Sequence, residues 1–276
     1  MLPTLAYTLW AALRLHMQCR RKQQQVQGRL KELGEEGLEE RLQMAGESPA
    51  NPPHRLAKVI QDCILSQGKA CLVLELSRSG GSMEGIEQLA QRAKRYAAAG
   101  ADALALRTDA DYTPEGLKDL WSVCRAVKVV DAKEAGAAGV VGVVSSVLAR
   151  GTPIMSSFAA SIGLDCPVEV VNAAGQCCPS ELREAAKWGV PFYGIGLSVG
   201  LSVGIPGFAR DVTHGLLGEL PFGAISLVGV TSLDEARTAK QSGADALLIK
   251  AELVEEYKGR IPQLLEQLRY VTSGDD

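Results

Sequence analysis

Two acidic residues stand inside apolar runs of the sequence. Glu75 lies in the run Cys71-Leu-Val-Leu-Glu-Leu76, and Glu169 lies within Val168–Val171. A buried carboxylate is costly unless it faces a polar cavity, so both side chains are expected to point into one. There they could form a general acid/base pair with shifted pKa values. They could equally be residues that hold loops in place.

A glycine-rich stretch and one lysine could bind an anion. The stretch is Gly196–Gly207, whose backbone amides could cradle a phosphate. It is equally typical of a flexible, slightly apolar loop that docks a protein partner. Lys250 ends an apolar run that starts at Ala246, and it could meet a phosphate as a point charge or be an ordinary solvated lysine.

The cysteines and histidines form no recognisable metal or disulfide motif. The count of seven cysteines is odd, no C-x-x-C pair occurs, and the three histidines lie far apart. We therefore expect no metal site, and reduced thiols in a reducing compartment. The adjacent Cys177 and Cys178 are expected to be inert, because neighbouring cysteines rarely bridge without strain.

Composition excludes several classes of protein. Hydrophobic residues make up 46% of the 276 residues, which is enough for a sizeable core. Lys and Arg number 29 against 32 Asp and Glu, so the net charge of -3 argues against a nucleic-acid-binding protein. The glycines from Gly194 to Gly200 have the wrong spacing for a dinucleotide fingerprint, and no cofactor is expected.

The chain divides into four segments. Residues 1–21 are apolar and then basic, which is typical of a targeting, anchoring or partner-binding segment. Residues 22–68 are predicted to form an N-terminal helical extension, 69–271 a β/α unit, and 272–276 a polar tail. No apolar run reaches the length of a membrane span, so we expect a soluble protein. Its compartment would be the chloroplast stroma in a photosynthetic eukaryote and the cytoplasm otherwise.

From residue 69 onward, short apolar runs alternate with helical patterns, which predicts a parallel sheet. The segment Gly100-Ala-Asp-Ala-Leu104 recurs as Gly243-Ala-Asp-Ala-Leu247, each time between a helix and a strand. About 200 residues of such repeats favour a TIM-type (β/α)8 barrel over an open sheet.

Seven strands are clear in the sequence, one fewer than a complete barrel has. An eighth could lie at Val127–Val130, but only the eight residues from Asp131 to Ala138 separate it from the next strand. A parallel crossover through a helix needs a dozen or more residues. The third β/α unit is therefore predicted to be shortened or missing.

Several motifs, in order, resemble the indole-3-glycerol-phosphate synthase family. Pro52-Pro53 resembles its Pro-Pro-Arg segment, Leu74-Glu75-Leu76 its first strand, and Val168-Glu-Val170 its Val-Glu-Val. Gly100–Asp109 and Gly243–Leu247 are similar to two further strands of the family. The likeness runs from about Arg21 to Val271, and it implies a (β/α)8 barrel with an N-terminal helical segment.

The resemblance also implies a reaction in tryptophan biosynthesis. That reaction is the ring closure and decarboxylation of a carboxyphenylamino-deoxyribulose phosphate by a carbon–carbon lyase. Glu75 and Glu169 match its catalytic carboxylates. The contacts of that family to its phosphorylated substrate fall at four positions of this sequence. Gly229 is kept, Ser79 and Ser82 stand in an altered Ser-Pro-Ser motif, and Lys250 replaces a phosphate-facing glycine.

Other catalytic positions of that family are substituted. Ser77 stands where the family has a lysine, Gly196-Leu197-Ser198 replaces Asn-Asn-Arg, and Leu227 replaces a glutamate. The strand that carries a second lysine falls in the short third unit. Two functions therefore remain open: a divergent ring-closing enzyme, or a catalytically silent barrel. The silent barrel could be an interaction or regulatory subunit that keeps a phosphate ligand. Its protein contacts would use the N-terminal segment or the Gly196–Gly207 loop.

Overall fold

A computed structural model describes seven continuous parts of the chain. These are residues 54–78, 85–106, 142–145, 165–171, 177–187, 189–197 and 214–273, with scattered residues between 24 and 36. The scattered residues are helical, and the predicted extension over residues 22–68 as a whole stays a prediction. Among the described residues, no helix is long and apolar enough to cross a membrane.

Seven parallel strands form one sheet in the order β2-β1-β7-β6-β5-β4-β3. The last strand pairs with the first and the others follow their order in the chain, which is the arrangement of a TIM-type β/α barrel. β2 and β3 stand at the two ends of this row. The predicted short third unit lies between them, outside the described residues, and stays a prediction. The strands are β1 Cys71–Leu76, β2 Ala103–Leu106, β3 Gly142–Ser145, β4 Val168–Val171, β5 Phe192–Ile195, β6 Ile225–Val230 and β7 Ala246–Ile249.

Helices connect the strands and cover the outside of the sheet. They alternate with the strands, as the helical patterns between the apolar runs predict. The short helix that follows β7 was not predicted, because six residues are too few to show a helical period. The described helices are α1 Arg55–Gln67, α2 Ile86–Ala98, α3 Pro179–Lys187, α4 Leu233–Gln241, α5 Ala251–Glu256 and α6 Ile261–Thr272.

The two Gly-Ala-Asp segments have the same conformation and make the same contact with a neighbouring strand. Gly100 and Gly243 have φ angles of 104° and 94°, a region that favours glycine. In each copy the aspartate then binds a backbone N–H of the neighbouring strand. Asp102 Oδ2 accepts from Leu72 N at 2.7 Å. Asp245 Oδ2 accepts from Ser226 N at 2.8 Å. Both aspartates therefore fix the register at the amino end of the sheet.

The strands alternate between two hydrophobic clusters. One face packs against the outer helices through residues such as Leu72, Leu74 and Val170. The opposite face lines the barrel interior through residues such as Val73 and Leu248.

Helix α1 fills the amino end of that interior with Ile60 and Cys63. The buried Asp165 holds α1 there, because its Oδ2 accepts from Ala57 N at 2.7 Å in the first turn of the helix.

Candidate functional site at the carboxyl ends of the strands

Four of the residues singled out from the sequence contribute to one end of the sheet. Glu75 and Gly229 lie near the carboxyl ends of their strands, Lys250 follows β7, and Glu169 of β4 reaches backbone that follows β5. Leu74 and Leu76 face the outer helices, as do Val168 and Val170, so the alternation of a strand turns Glu75 and Glu169 toward the interior. The same alternation places Gly229 and Lys250 beyond Leu227 and Leu248, which line the interior. In β/α barrel enzymes the active site is at this end.

Glu169 binds the backbone that leaves β5. Its Oε1 accepts from Gly196 N at 2.6 Å and its Oε2 accepts from Leu197 N at 3.0 Å. Gly196 has a φ of 67°, and this left-handed turn aims the two successive N–H groups at one carboxylate. Only 1% of Glu169 is exposed, so these charge-assisted bonds form away from water.

Lys250 reaches the same piece of backbone from β7. Its Nζ donates to Leu197 O at 2.5 Å, and the residue is 5% exposed. Gly229 leaves the space for this contact. A Cβ built on Gly229 would lie 2.1 Å from Gly196 O and 3.0 Å from Lys250 Cε. A glycine is therefore required where β5, β6 and β7 approach one another.

The side chain of Leu197 turns back into the barrel. It is 4% exposed and belongs to the interior cluster with Leu227 and Leu248. A Cβ on Gly194 would lie 2.2 Å from Leu197 Cδ1, so Leu197 occupies the space that a larger residue at position 194 would take. An apolar side chain thus fills the interior where the resemblance places the arginine-bearing Asn-Asn-Arg motif.

Glu75 binds the start of the helix after β7. Its Oε2 accepts from Ala251 N at 3.2 Å, in the first turn of α5. Arg92 of α2 supports the same corner, because it donates to Ser77 O and its NH1 lies 3.0 Å from Glu255 Oε1. Glu75 therefore contacts the residue next to Lys250.

Another carboxylate, that of Glu235 in the first turn of α4, binds the loop after β6. Glu235 Oε2 accepts from Thr231 N at 2.6 Å and from Thr231 Oγ1 at 2.8 Å. Ser232 Oγ accepts from Glu235 N at 3.2 Å, which completes the N-terminal cap of α4. Barrel enzymes often hold phosphate at the loops after their last two strands. In this chain, Glu235 and Glu75 bind backbone N–H groups in those two loops.

Other candidates are placed only in part. Ser79 and Ser82 lie outside the described residues, as do positions 198–207 of the glycine-rich loop. Cys177 is described, and burial above all, then the negative charge of Glu169, raises the pKa of its thiol. A thiol held protonated in this way is a poor nucleophile, so Cys177 is not activated, and the inertness of Cys178 stays a prediction.

The structure thus connects Glu75, Lys250 and Glu169 through two stretches of backbone. Glu75 binds the backbone of Ala251, whereas Lys250 and Glu169 both bind the backbone of Leu197. Gly229 lies against Gly196 and the side chain of Lys250. Sequence reasoning missed the part that Leu197 and Glu235 have in this site. The Ser-x-x-Glu spacing from Ser232 to Glu235 is a readable helix-cap signal. No local pattern signals the position of Leu197.

No protein-family model matches this sequence, and no curated protein is recognisably similar to it. Among solved structures, the chain is similar to the N-acetylmannosamine-6-phosphate 2-epimerase from Clostridium perfringens. Identity is 12%, the TM-score is 0.49, and the match covers 76% of this chain and 96% of the epimerase.

It is also similar to the (S)-3-O-geranylgeranylglyceryl phosphate synthase from Thermoplasma acidophilum, whose structure holds sn-glycerol-1-phosphate. There the identity is 13% and the TM-score 0.49, over 78% of this chain and 98% of the synthase. A likeness at this level carries no information about substrate.

Proposed function

We propose that this chain is a catalytically silent β/α barrel of the indole-3-glycerol-phosphate synthase type, which acts as an interaction or regulatory subunit. The observation that carries this proposal is the double contact at Leu197. Glu169 binds its N–H, Lys250 binds its carbonyl, and its side chain fills the interior. The charges that would act on a substrate are bound to the protein's own backbone.

Ring closure needs a proton donor at the substrate carbonyl and a positive group beside the leaving carboxylate. Ser77 stands where the family has its lysine acid, and the carbonyl of Ser77 accepts a hydrogen bond from Arg92. Lys250 is already bound to the backbone that Glu169 holds, because its Nζ donates to Leu197 O. Loss of one general acid typically slows a reaction by about 10²–10⁴-fold, and here more than one position is substituted.

The proposed interaction role uses two parts of the chain that carry none of the catalytic side chains of the ring-closing family. These are residues 1–21 and the glycine-rich loop that begins at Gly196. Glu169 and Lys250 fix the first two residues of that loop, so the proposed contact surface starts from an anchored backbone. In this role the two charged residues shape the loop and take no part in chemistry.

A turnover assay tests the proposal directly. The purified chain is given the carboxyphenylamino-deoxyribulose phosphate, and indole-product fluorescence is followed against protein concentration. We expect no turnover above that of a Glu169→Gln variant. Robust turnover that Glu169→Gln abolishes would overturn the silent-barrel proposal and favour the ring-closing lyase.

A second candidate function is the binding of a phosphate-bearing small molecule at the barrel mouth. It is favoured by Lys250, a buried cation beside the closely approached Gly229. The carboxylates of Glu75 and Glu235 argue against phosphate binding, because they place negative charge at the two loops where an anion would bind.

Calorimetric titration with inorganic phosphate and with sn-glycerol-1-phosphate tests this second candidate. Phosphate binding at the mouth predicts a heat signal that Lys250→Met removes and that Lys187→Met keeps, because Lys187 is an exposed lysine of α3. The absence of a saturable signal in the unmodified protein would rule out phosphate binding and leave the interaction role alone.

A further inference from the structure

A cluster of three possible metal ligands lies at the other end of the barrel. The side chains are Cys63 of α1, Cys71 at the start of β1, and Asp102 just before β2, and their ligand atoms all lie within 4.8 Å of one another. Both cysteines are buried free thiols. None of the three contributes to the site at the carboxyl ends of the strands.

Packing and hydrogen bonds already align these groups. Cys63 and Cys71 pack in the same hydrophobic cluster, which fixes both side chains in the barrel interior. The carboxylate is itself fixed, because Asp102 Oδ2 accepts from Leu72 N at 2.7 Å and from Arg269 NH2 at 2.6 Å. The cluster is therefore held by α1, β1 and α6 before any ligand arrives.

From this geometry we propose a site for one zinc-like divalent cation, bound by the thiolates of Cys63 and Cys71 and by a carboxylate oxygen of Asp102. Two thiolates favour a soft or borderline cation such as Zn²⁺ over Mg²⁺ or Ca²⁺. Asp102 is 14% exposed, so a water molecule can complete a tetrahedral set from that side.

The charges at this site balance. One divalent cation offsets two thiolates, and Arg269 offsets the carboxylate of Asp102 with which it already pairs. Coordination through Oδ1 leaves the bonds of Oδ2 to Leu72 and Arg269 in place. Zinc–sulfur bonds of about 2.3 Å require the ligand atoms to stand about 3.8 Å apart, which the side chains reach by small rotations.

Without a metal the two thiols remain protonated at neutral pH. Burial above all raises the pKa of both Cys63 and Cys71, and the charge of Asp102 adds to it. A bound cation displaces the two thiol protons to solvent and takes their place between the sulfur atoms and the carboxylate. In doing so it ties α1, which fills the barrel interior, to the first strand.

The experiment uses the full-length, reduced protein after treatment with a chelator. It is titrated with Cd²⁺ alone and with Zn²⁺ alone, and sulfur-to-cadmium charge-transfer absorption reports thiolate coordination. We expect one cation per chain. Cys63→Ser should weaken binding by more than about 100-fold, the upper range for residues that only support a ligand.

The matched control is Cys166→Ser, which removes a buried cysteine that belongs to the other hydrophobic cluster. It should bind the cation as the unmodified protein does. The proposal would be overturned if the Cys63→Ser protein still showed the sulfur-to-cadmium absorption band. It would also be overturned if the unmodified protein showed no such band.

If the Cys63→Ser protein does not fold, thiol alkylation of the unmodified protein tests the proposal instead. Mass spectrometry measures how fast each cysteine is labelled. Bound Cd²⁺ should slow the labelling of Cys63 and Cys71 together and leave Cys177 and Cys178 unchanged. Protection of other cysteines instead would contradict the proposal. A Cys63–Cys71 disulfide in the isolated protein, in place of two thiols, would contradict it as well.

Discussion

Glu169 and Lys250 bind opposite sides of one residue. The carboxylate of Glu169 accepts from Leu197 N at 3.0 Å, and Lys250 Nζ donates to Leu197 O at 2.5 Å. Two oppositely charged side chains, one from β4 and one from the residue after β7, thus fix the backbone that follows β5. The N–H and the C=O of Leu197 belong to two successive peptide groups, so the two charge-assisted bonds hold the backbone on both sides of this residue.

Glu169→Gln should weaken this arrangement. The amide keeps one oxygen that can accept a hydrogen bond, but its NH2 group faces an N–H that has lost its acceptor. We expect the free energy of unfolding to fall by about 1–3 kcal/mol, the usual cost of an unsatisfied buried donor. Urea denaturation of both proteins measures it. Glu184→Gln on the exposed side of α3 is the control and should change stability by less than about 0.5 kcal/mol.

Gly229→Ala should be among the more damaging small substitutions in the barrel. The added Cβ would lie 2.1 Å from the carbonyl oxygen of Gly196, and backbone must move to relieve the overlap. We expect a loss of about 1–3 kcal/mol, measured by thermal and urea unfolding.

Gly215→Ala is the matched substitution for Gly229→Ala, because a Cβ at Gly215 meets nothing within 4 Å in a helical segment. It should leave stability unchanged or raise it by up to about 1 kcal/mol. Equal effects of the two substitutions would mean that the approach of β5 to β6 is looser than the structure has it.

Asp245→Ala should destabilise the amino end of the sheet. It leaves Ser226 N and Ser226 Oγ without the acceptor that both now use at 2.8 Å. The expected loss is about 1–3 kcal/mol in chemical denaturation. Glu266→Ala, on the exposed face of α6, should stay within about 0.5 kcal/mol of the unmodified protein. A loss as large at Glu266 would show that the effect is not specific to the repeat.

Buried Cys166 predicts a dependence of stability on alkaline pH. Burial raises the pKa of its thiol from 9.0 to about 11. Between pH 9.0 and about pH 11, the Cys166 thiol therefore keeps its proton in the folded chain and loses it in the unfolded chain. The stabilising contribution is complete below pH 9.0 and falls as the pH rises to about 11, by at most about 1.4 kcal/mol per pH unit.

The check is to compare urea midpoints of the unmodified protein and Cys166→Ala from pH 8 to pH 11. The variant removes the titrating group, so its stability should fall less steeply over this range. Parallel curves for the two proteins would show that the thiol of Cys166 ionises equally in both states.

Much of the fold followed from local pattern. The seven apolar runs were predicted as strands and form the seven described strands, because a buried parallel strand needs only its own few residues to be apolar. The Gly-Ala-Asp repeats marked the turns from helix to strand. What they could not indicate is that each aspartate binds the strand that precedes it in the chain, since Asp102 and Leu72 lie 30 residues apart.

The sequence by itself determined that Glu75 and Glu169 share the inward side of their strands, because alternation along a strand is a local property with a period of two residues. It also determined the parallel order of elements. Only the tertiary structure decided what those charges bind. Lys250 meets Leu197 across 53 residues of chain, and Cys63 and Cys71 meet Asp102 from three separate elements. Such contacts depend on how closely the strands of a barrel approach one another, and no spacing within a single segment encodes that distance.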